Sequence, residues 1–381
     1  MRDRQADVLV IGAGIAGASV AAHLALRCAV VVLERESQPG YHSTGRSAAL
    51  FSETYGNPVI RALTRASRAF LLDTPQSFTS GPLSRPRGSL FIATTAQIPA
   101  LEVFAGLPDV APITHRIDVH RARALCPILR EETLAAALLE PGSADLDVQA
   151  LHQGYLRGLR GRNGRVVCDA PIAALEYTQG AWHVYAGVEE WVAPIVVNAA
   201  GAWADEIAQL AGLPRIGLVP CRRTALLLAA PPRCAIESWP MVIDIDELFY
   251  FKPEAGSLLL SPGDETPSEP TDAQPDDWDV AVAIDRMQTA TTLEIERPQA
   301  KWAGLRSFTP DRAPVAGYST AAAGFFWLAG QGGYGIQTAP ALSRAAAALV
   351  LNEPLPEDLL SAGVQADELS PARLQAIGPV G

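Results

Sequence analysis

The sequence predicts an α/β protein in which a parallel-sheet domain, assembled from discontinuous segments, carries a second, sheet-rich domain of α+β character. Three observations carry this. A short β-branched run, Asp7 to Ile11, leads through a small and apolar helical stretch, Ile15 to Arg27, into a second buried run, Ala29 to Leu33, which together read as a βαβ unit. The same alternation returns in the middle of the chain and near its C-terminus. Two inserts separate these blocks, one rich in proline and the other in strand patterns. The parallel-sheet domain is expected over 1–80, 145–217 and 300–381, and the sheet-rich domain over 81–144 and 218–299.

A length of 381 residues favours two domains sharing one interface. After the βαβ unit, Gln38 to Gly56 is rich in glycine, serine and threonine, and Pro58 to Leu72 regains helical spacing. Ser77 to Pro141 carries many prolines and short mixed elements. From Asp147 the pattern sharpens into a helix at Val148 to Leu159, strands near Val166 and Ala181, and a buried strand at Val192 to Ala199. Strand-like segments then dominate from Ile216 to Ile295 (Thr224 to Leu228, Met241 to Ile245, Leu248 to Lys252, Ser257 to Leu260), with an acidic, proline-rich loop at Asp264 to Asp277. Gly324 to Leu351 returns to strand, turn and helix.

Composition narrows the function classes. Hydrophobic residues make up 49% and charged residues 19%, with no apolar run near twenty residues, so no transmembrane segment is expected. The formal charge of −11 and dispersed basic residues argue against nucleic acid as a partner. The N-terminus enters the first strand at once, leaving no room for a signal sequence, and the cytoplasm is the expected compartment. Cys28, Cys126, Cys168, Cys221 and Cys234 lie far apart and read as reduced thiols. Neither they nor His23, His115, His120, His152 and His183 have metal-binding spacing, so no metal is expected.

Gly12-Ala-Gly14-Ile-Ala-Gly17 follows the first strand and opens the first helix, and Glu34 closes the second strand, 22 residues after Gly12. Gly12 permits the tight turn, Gly14 lets the backbone approach a pyrophosphate, and Gly17 lets helix pack on strand. The helix N-terminus offers amides and positive potential to phosphates. Glu34 is placed to accept from a ribose 2′-hydroxyl, which disfavours NADP. A Rossmann-like dinucleotide site follows, with FAD and NAD both open at this point.

Further motifs separate the two. Gly40-Tyr-His-Ser-Thr-Gly-Arg-Ser-Ala-Ala49, Val196-Val-Asn-Ala-Ala-Gly-Ala-Trp203 and Gly330-Gln-Gly-Gly-Tyr-Gly-Ile-Gln-Thr338 resemble the D-amino acid oxidase (DAO) superfamily of flavoproteins, most closely the bacterial D-arginine dehydrogenases. The likeness continues through Ala150 to Gly158 and Trp302 to Phe308 to Leu369-Ser-Pro-Ala-Arg373. It implies FAD held by Gly12, Gly14, Ala16, Gly17, Glu34 and Arg35, then by His42, Ser43, Thr44, Gly45, Arg46, Ser47, Ala48, Ala49 and Leu50. Ile172, Ala200, Gly201 and Trp203 follow, and then Gly332, Gly333, Tyr334, Gly335, Ile336 and Gln337. Small residues from Ser43 to Ala49 let backbone lie against a flat ring, and Arg46 can neutralise pyrophosphate charge. The helix expected from Ile336 to Leu351 would aim its N-terminus at the flavin edge where negative charge accumulates on reduction. Relatives with covalent flavin use a cysteine near the stretch matching Trp302 to Arg306, where this chain has none, so FAD is expected to be noncovalent.

The resemblance also nominates a substrate site. Arg223 and Arg306 form the expected carboxylate clamp, since a planar guanidinium binds carboxylate through two parallel hydrogen bonds. Tyr55 and Tyr250 add hydroxyl contacts, and the Gly333 carbonyl receives the amine. His42 is expected to be structural, hydrogen-bonded to backbone, and not a base.

Departures from the D-arginine dehydrogenases concern specificity. Ser89 stands where those sequences carry the glutamate that pairs with a substrate guanidinium, Leu50 replaces a lid histidine, and Ser52 replaces a threonine. With Met241 and Ile243 lining the pocket, strand alternation turns Asp244 to the opposite face. Neutral D-amino acids are therefore expected over D-arginine. Leu259 stands in the strand where some oxidases carry an oxygen-activating lysine, which favours a dehydrogenase passing electrons to a quinone or similar carrier. Alternatives are oxidation of a secondary amine or a 2-hydroxy acid, or a flavin subunit without its own substrate.

Overall fold

The computed structural model describes residues 4–162 and 164–375; the outermost ends of the expected segments 1–80 and 300–381 lie outside them. Val8–Ile11 is buried at all four positions. A run of four aliphatic residues suits a central parallel strand covered on both faces. It lies between Ile195–Asn198 and Val30–Leu33, parallel to both. The full six-stranded order is Val315–Tyr318, Phe325–Ala329, Ile195–Asn198, Val8–Ile11, Val30–Leu33 and Arg165–Val167. Only the first pair is antiparallel.

One face of this sheet is covered by helices Ile15–Leu24, Val148–Arg160 and Gly335–Val350. Ala18, Ala21 and Ala22 on the first helix and Ala341, Ala345 and Ala346 on the last are buried, and their small side chains permit close helix packing. On the other face sits an antiparallel three-stranded sheet, Ile172–Thr178, Ala181–Ala186 and Glu189–Ala193, which buries Trp182 and Trp191 with Leu9, Val31 and Trp327. The strand expected over Val192 to Ala199 is broken at Pro194, which has no N–H to give a ladder, so two strands of different sheets meet there.

The second layer is a nine-stranded sheet built on Val219–Ala229, with Ser257–Ser261, Tyr250–Glu254, Met241–Asp244, Ser89–Ala93, Ala136–Glu140 and His115–Ile117 in succession to one side. Ala300–Phe308 pairs with Val219–Ala229 from Phe308↔Val219 to Ala300↔Leu227. Its hydrogen bonds thus place it in this sheet, across the boundary expected at residue 300. This strand carries Arg306 to the junction of the layers, at the carboxyl ends of the parallel strands where open α/β sheets present their ligand crevice. No helix among the described residues is long and apolar enough to cross a membrane.

Candidate active site

At the first crevice, Gly12 has φ +98°, and a Cβ there would lie 2.6 Å from the Ala199 carbonyl oxygen. A Cβ on Gly17 would lie 1.9 Å from the Gly12 carbonyl oxygen. Both positions therefore require glycine, one for conformation and contact, the other for helix-to-turn packing. The peptide between the first two glycines is fixed from both sides: Ala13 N–H donates to Glu34 Oε2 at 2.7 Å, and the Ala13 carbonyl lies 2.9 Å from His152 Nε2. Glu34 Oε1 accepts from Glu36 N at 3.0 Å, and a carboxylate that accepts two such bonds keeps lone pairs for a ligand hydroxyl.

Helix Ile15–Leu24 has no side-chain N-cap on Gly14, and Ile15 N donates to Thr44 Oγ1 at 3.0 Å. Beside it a cavity of about 340 Å³ is lined by Gly12, Gly14, Glu34, Arg35, His42, Ser43, Thr44, Ile172, Ala200, Gly201 and Trp203 among others. Arg35 lies over the Trp203 ring at 4.9 Å. His42 departs from the expected backbone bond: its Nε2 lies 2.9 Å from the Glu36 carboxylate, because Glu36 follows the strand end and faces the loop that carries His42.

A second cavity, about 140 Å³, shares Gly14, Ser43, Thr44 and Gly201 with the first and continues along Ala16, Arg46, Ser47, Ala48, Gly332, Gly333, Gly335 and Ile336. Ser43 Oγ donates to the Leu305 carbonyl at 2.6 Å, tying the small-residue loop to the strand that carries Arg306. Arg46 does not present its charge as expected. Nη2 is paired with Asp272 and Nη1 donates to the Ala273 and Ala303 carbonyls at 3.0 Å, because the acidic loop folds back over it. Helix Gly335–Val350 begins at this cavity, one residue before the expected start, and Tyr334 gives it no side-chain cap.

The third cavity, about 70 Å³, shares Ser47, Ala48, Arg223, Tyr250, Arg306, Gly333 and Ile336 with the second. Ala49, Leu50, Ser52, Tyr55, Met241, Ile243 and Gln337 complete it, with Phe91 and Glu247. Arg306 Nη1 donates to the Tyr55 hydroxyl at 3.0 Å and Nη2 to the Tyr250 hydroxyl at 3.3 Å. Burial opposes its charge, but the oxygens of Tyr55, Tyr250 and Tyr334 outweigh that and hold the guanidinium above its ordinary range. Burial alone would push the Tyr250 phenol up; the guanidiniums of Arg306 and Arg223, with hydrogen bonds from Ser261 and Arg223, more than reverse this. Arg223 lines the pocket but is not free, since Nη2 donates to Glu265 Oε1 at 3.0 Å and Nε to the Asp264 carbonyl at 2.7 Å. The expected pair of open guanidiniums is thus one open and one already paired.

Asp244 lies on the far side of its strand, where Gln97 Nε2 donates to both carboxylate oxygens at 3.1 and 3.0 Å. Gly17, Gly45, Tyr334 and Ser89 line none of the three cavities. Gly45 N donates to the Gly40 carbonyl, closing the loop, and Tyr334 packs edge-on to Tyr55 with ring centroids 4.6 Å apart. Ser89 was expected to touch substrate; it shares a strand face with Phe91 but is fully buried, and its Oγ donates to Ser143 at 2.9 Å.

Four site residues escaped the sequence reading: Phe91, Glu247, Glu140 and Glu265. Glu140, opposite Ser89 in register, accepts from Ser52 Oγ at 2.7 Å, Glu53 N at 2.8 Å and Thr54 Oγ1 at 2.9 Å. Burial pushes its pKa up in spite of these bonds. Glu265 lies in the acidic loop, whose composition alone gives no sign that one acid reaches a pocket arginine. All five cysteines are free, and no group of metal-binding side chains occurs among the described residues.

A glycine-bounded dinucleotide cradle that opens, through a small-residue trough, onto a pocket with a buried guanidinium defines an FAD-dependent oxidoreductase. The chain belongs to the DAO family of FAD dependent oxidoreductases, whose family model matches residues 7–349. Similar proteins include mouse mitochondrial dimethylglycine dehydrogenase, 26% identical over 269 residues that make up 68% of this chain and 30% of the relative. Human mitochondrial sarcosine dehydrogenase is 26% identical over 349 residues, 84% of this chain and 37% of its own length. The chain thus spans about a third of the length of these relatives. The fold is also that of L-proline dehydrogenase from P. horikoshii, with a TM-score of 0.83, 21% identity and 98% of each chain covered. These likenesses establish the family and the fold, and they do not single out the D-arginine dehydrogenases to which the motifs pointed.

Proposed function

We propose that this chain oxidises a small D-amino acid to an imino acid that hydrolyses to a 2-oxo acid and ammonia, with neutral substrates favoured over D-arginine. The chemistry FAD supplies when bound is two-electron acceptance, hydride leaving the substrate α-carbon for flavin N5. The observation that carries the reading is Arg306, held between Tyr55 and Tyr250 at the wall shared by the trough and the small pocket. A guanidinium fixed there pins a carboxylate and so orients the α-carbon toward the trough. The Gly333 carbonyl is the amine acceptor in this reading, and a substrate bound with its amine neutral needs no side-chain base. A pocket of about 70 Å³, walled by Phe91, Met241, Ile243 and Leu50 with Glu247 at its side, favours a short side chain, and the apolar residues that make up most of this wall support an uncharged one. The D configuration rests on the sequence resemblance.

Leu259 is buried with Met241 and Tyr250, so no lysine stands in this strand to promote reaction with oxygen. We infer a dehydrogenase that passes electrons to a quinone or similar carrier, in a cytoplasmic setting. A second reading, oxidation of an N-methylated or other secondary amine, is favoured by the names of the sarcosine and dimethylglycine dehydrogenases. The same clamp serves a 2-hydroxy acid. Anaerobic flavin bleaching by a panel of D- and L-amino acids, sarcosine, dimethylglycine and 2-hydroxy acids decides among these. Fastest bleaching by a neutral D-amino acid supports the first reading; bleaching by sarcosine alone supports the second. No bleaching by any small carboxylate removes both.

A further inference from the structure

We propose that Glu265 is a specificity-determining residue: by holding Arg223 paired, it leaves Arg306 as the pocket arginine without a carboxylate partner and restricts the pocket to substrates with a single carboxylate. This rests on the reading of the pocket as a carboxylate site.

Glu265 Oε1 accepts from Arg223 Nη2 at 3.0 Å and from Arg312 Nη2 at 2.9 Å, while Oε2 accepts from Arg312 Nη2 at 3.0 Å. Arg223 is further fixed through Nε to the Asp264 carbonyl and bonds the Tyr250 hydroxyl, and its side chain is 8% exposed, so a ligand that drew it away from Glu265 would strip a carboxylate partner from a buried cation. Arg312 lies over the Phe308 ring at 3.8 Å and takes no part in lining the pocket. Arg306 differs in kind. Its hydrogen-bond partners are the phenols of Tyr55 and Tyr250, which satisfy donors without cancelling charge. Glu247, also on the pocket wall, adds a negative charge. A substrate carboxylate therefore finds one cation, and a second carboxylate on the same molecule finds Glu247 and an arginine already taken. Desolvating that second charge without a partner disfavours dicarboxylates.

The test uses the holoenzyme and follows perturbation of the flavin spectrum by acetate and by malonate at a pH where both are fully ionised. The wild-type protein is expected to bind acetate more tightly than malonate. In Glu265→Gln, where the amide keeps an acceptor for Arg223 but loses the charge, the malonate-to-acetate affinity ratio rises by about tenfold or more, the scale of one partly solvated charge pair. Glu265→Asp restores the wild-type preference, and Glu265→Ala repeats the gain if the glutamine variant does not fold. Tighter wild-type binding of malonate than of acetate overturns the proposal without any variant. An unchanged ratio in the glutamine and alanine variants, with acetate binding still dependent on Arg306, overturns the role of Glu265 alone. Acetate binding indifferent to Arg306→Leu overturns the carboxylate reading and this proposal with it.

Discussion

Arg306 and Tyr55 meet at 3.0 Å across 251 residues of sequence, the arginine on the strand Ala300–Phe308 and the tyrosine in the loop between the small strand Leu50–Phe51 and the helix Pro58–Leu72. The phenol oxygen steadies a guanidinium that burial would otherwise penalise. Tyr55→Phe removes that acceptor and keeps the ring against Tyr334. We expect KM for the carboxylate substrate to rise about five- to twentyfold, roughly 1–2 kcal/mol, with a smaller change in kcat. Steady-state kinetics measure this; an unchanged KM with a large fall in kcat would contradict the assigned role.

The contact between Gly17 and the Gly12 carbonyl leaves no space for a methyl group. Gly17→Ala must push the helix away from the glycine turn and so spoil the cradle for phosphates. The variant is expected to purify with little flavin and to weaken FAD binding by about tenfold or more. Visible absorbance per protein and titration with free FAD give the result. Full retention of flavin would show that the turn tolerates the displacement.

Asp272 ties the acidic loop to Arg46, which lines the trough, and the Tyr41 hydroxyl donates to it at 3.3 Å. The carboxyl is held below the usual carboxylate range, chiefly by the hydrogen bond from Arg46. The carboxylate is nearly half exposed, so the contact is worth little in folding free energy. Asp272→Asn is expected to speed FAD release about two- to fivefold while leaving the melting temperature close to wild type. Release is followed by recovery of flavin fluorescence on dilution; an unaltered rate would mean that the loop does not restrain the cofactor.

Glu140 anchors Ser52, Glu53 and Thr54, the residues that lead into Tyr55. Burial raises its folded pKa above the unfolded value, so as pH climbs the unfolded chain releases this proton first. Its stabilising contribution is thus complete below the unfolded carboxyl pKa and lost as pH rises through the folded one. Wild-type stability relative to Glu140→Gln should fall as pH increases from about 4, and then level off once the buried carboxyl is ionised. Denaturant melts of both proteins across that range supply the comparison, and a difference independent of pH would exclude the raised pKa.

Local features were legible in the sequence where neighbours along the chain decide the outcome. The βαβ unit, the glycine turn and the helix Pro58–Leu72 follow from periodicity and from conformations open to glycine, and in the structure Asn57 caps that helix, its side chain accepting from Ile60 N. The helix expected over Val148 to Leu159 runs Val148–Arg160. Alternation along Met241–Asp244 correctly sent Asp244 away from the pocket that Met241 and Ile243 line. Ser89 was nominated through the resemblance and not by alternation, and its depth is set by neighbouring strands: it is fully buried and its hydroxyl bonds Ser143.

By itself the sequence determined the dinucleotide cradle and the parallel sheet that carries it, because glycine conformation and burial pattern are properties of short segments; the arginines and tyrosines proposed for a carboxylate came from the resemblance. Tertiary structure decided which charges stay free. Arg46 is spent on Asp272 and Arg223 on Glu265, while Arg306 keeps only phenols for partners. The reason is physical: a guanidinium looks the same in any sequence, and whether it meets ligand or carboxylate depends on which distant loop folds within about 3 Å of it, at the range where charge-assisted hydrogen bonds form.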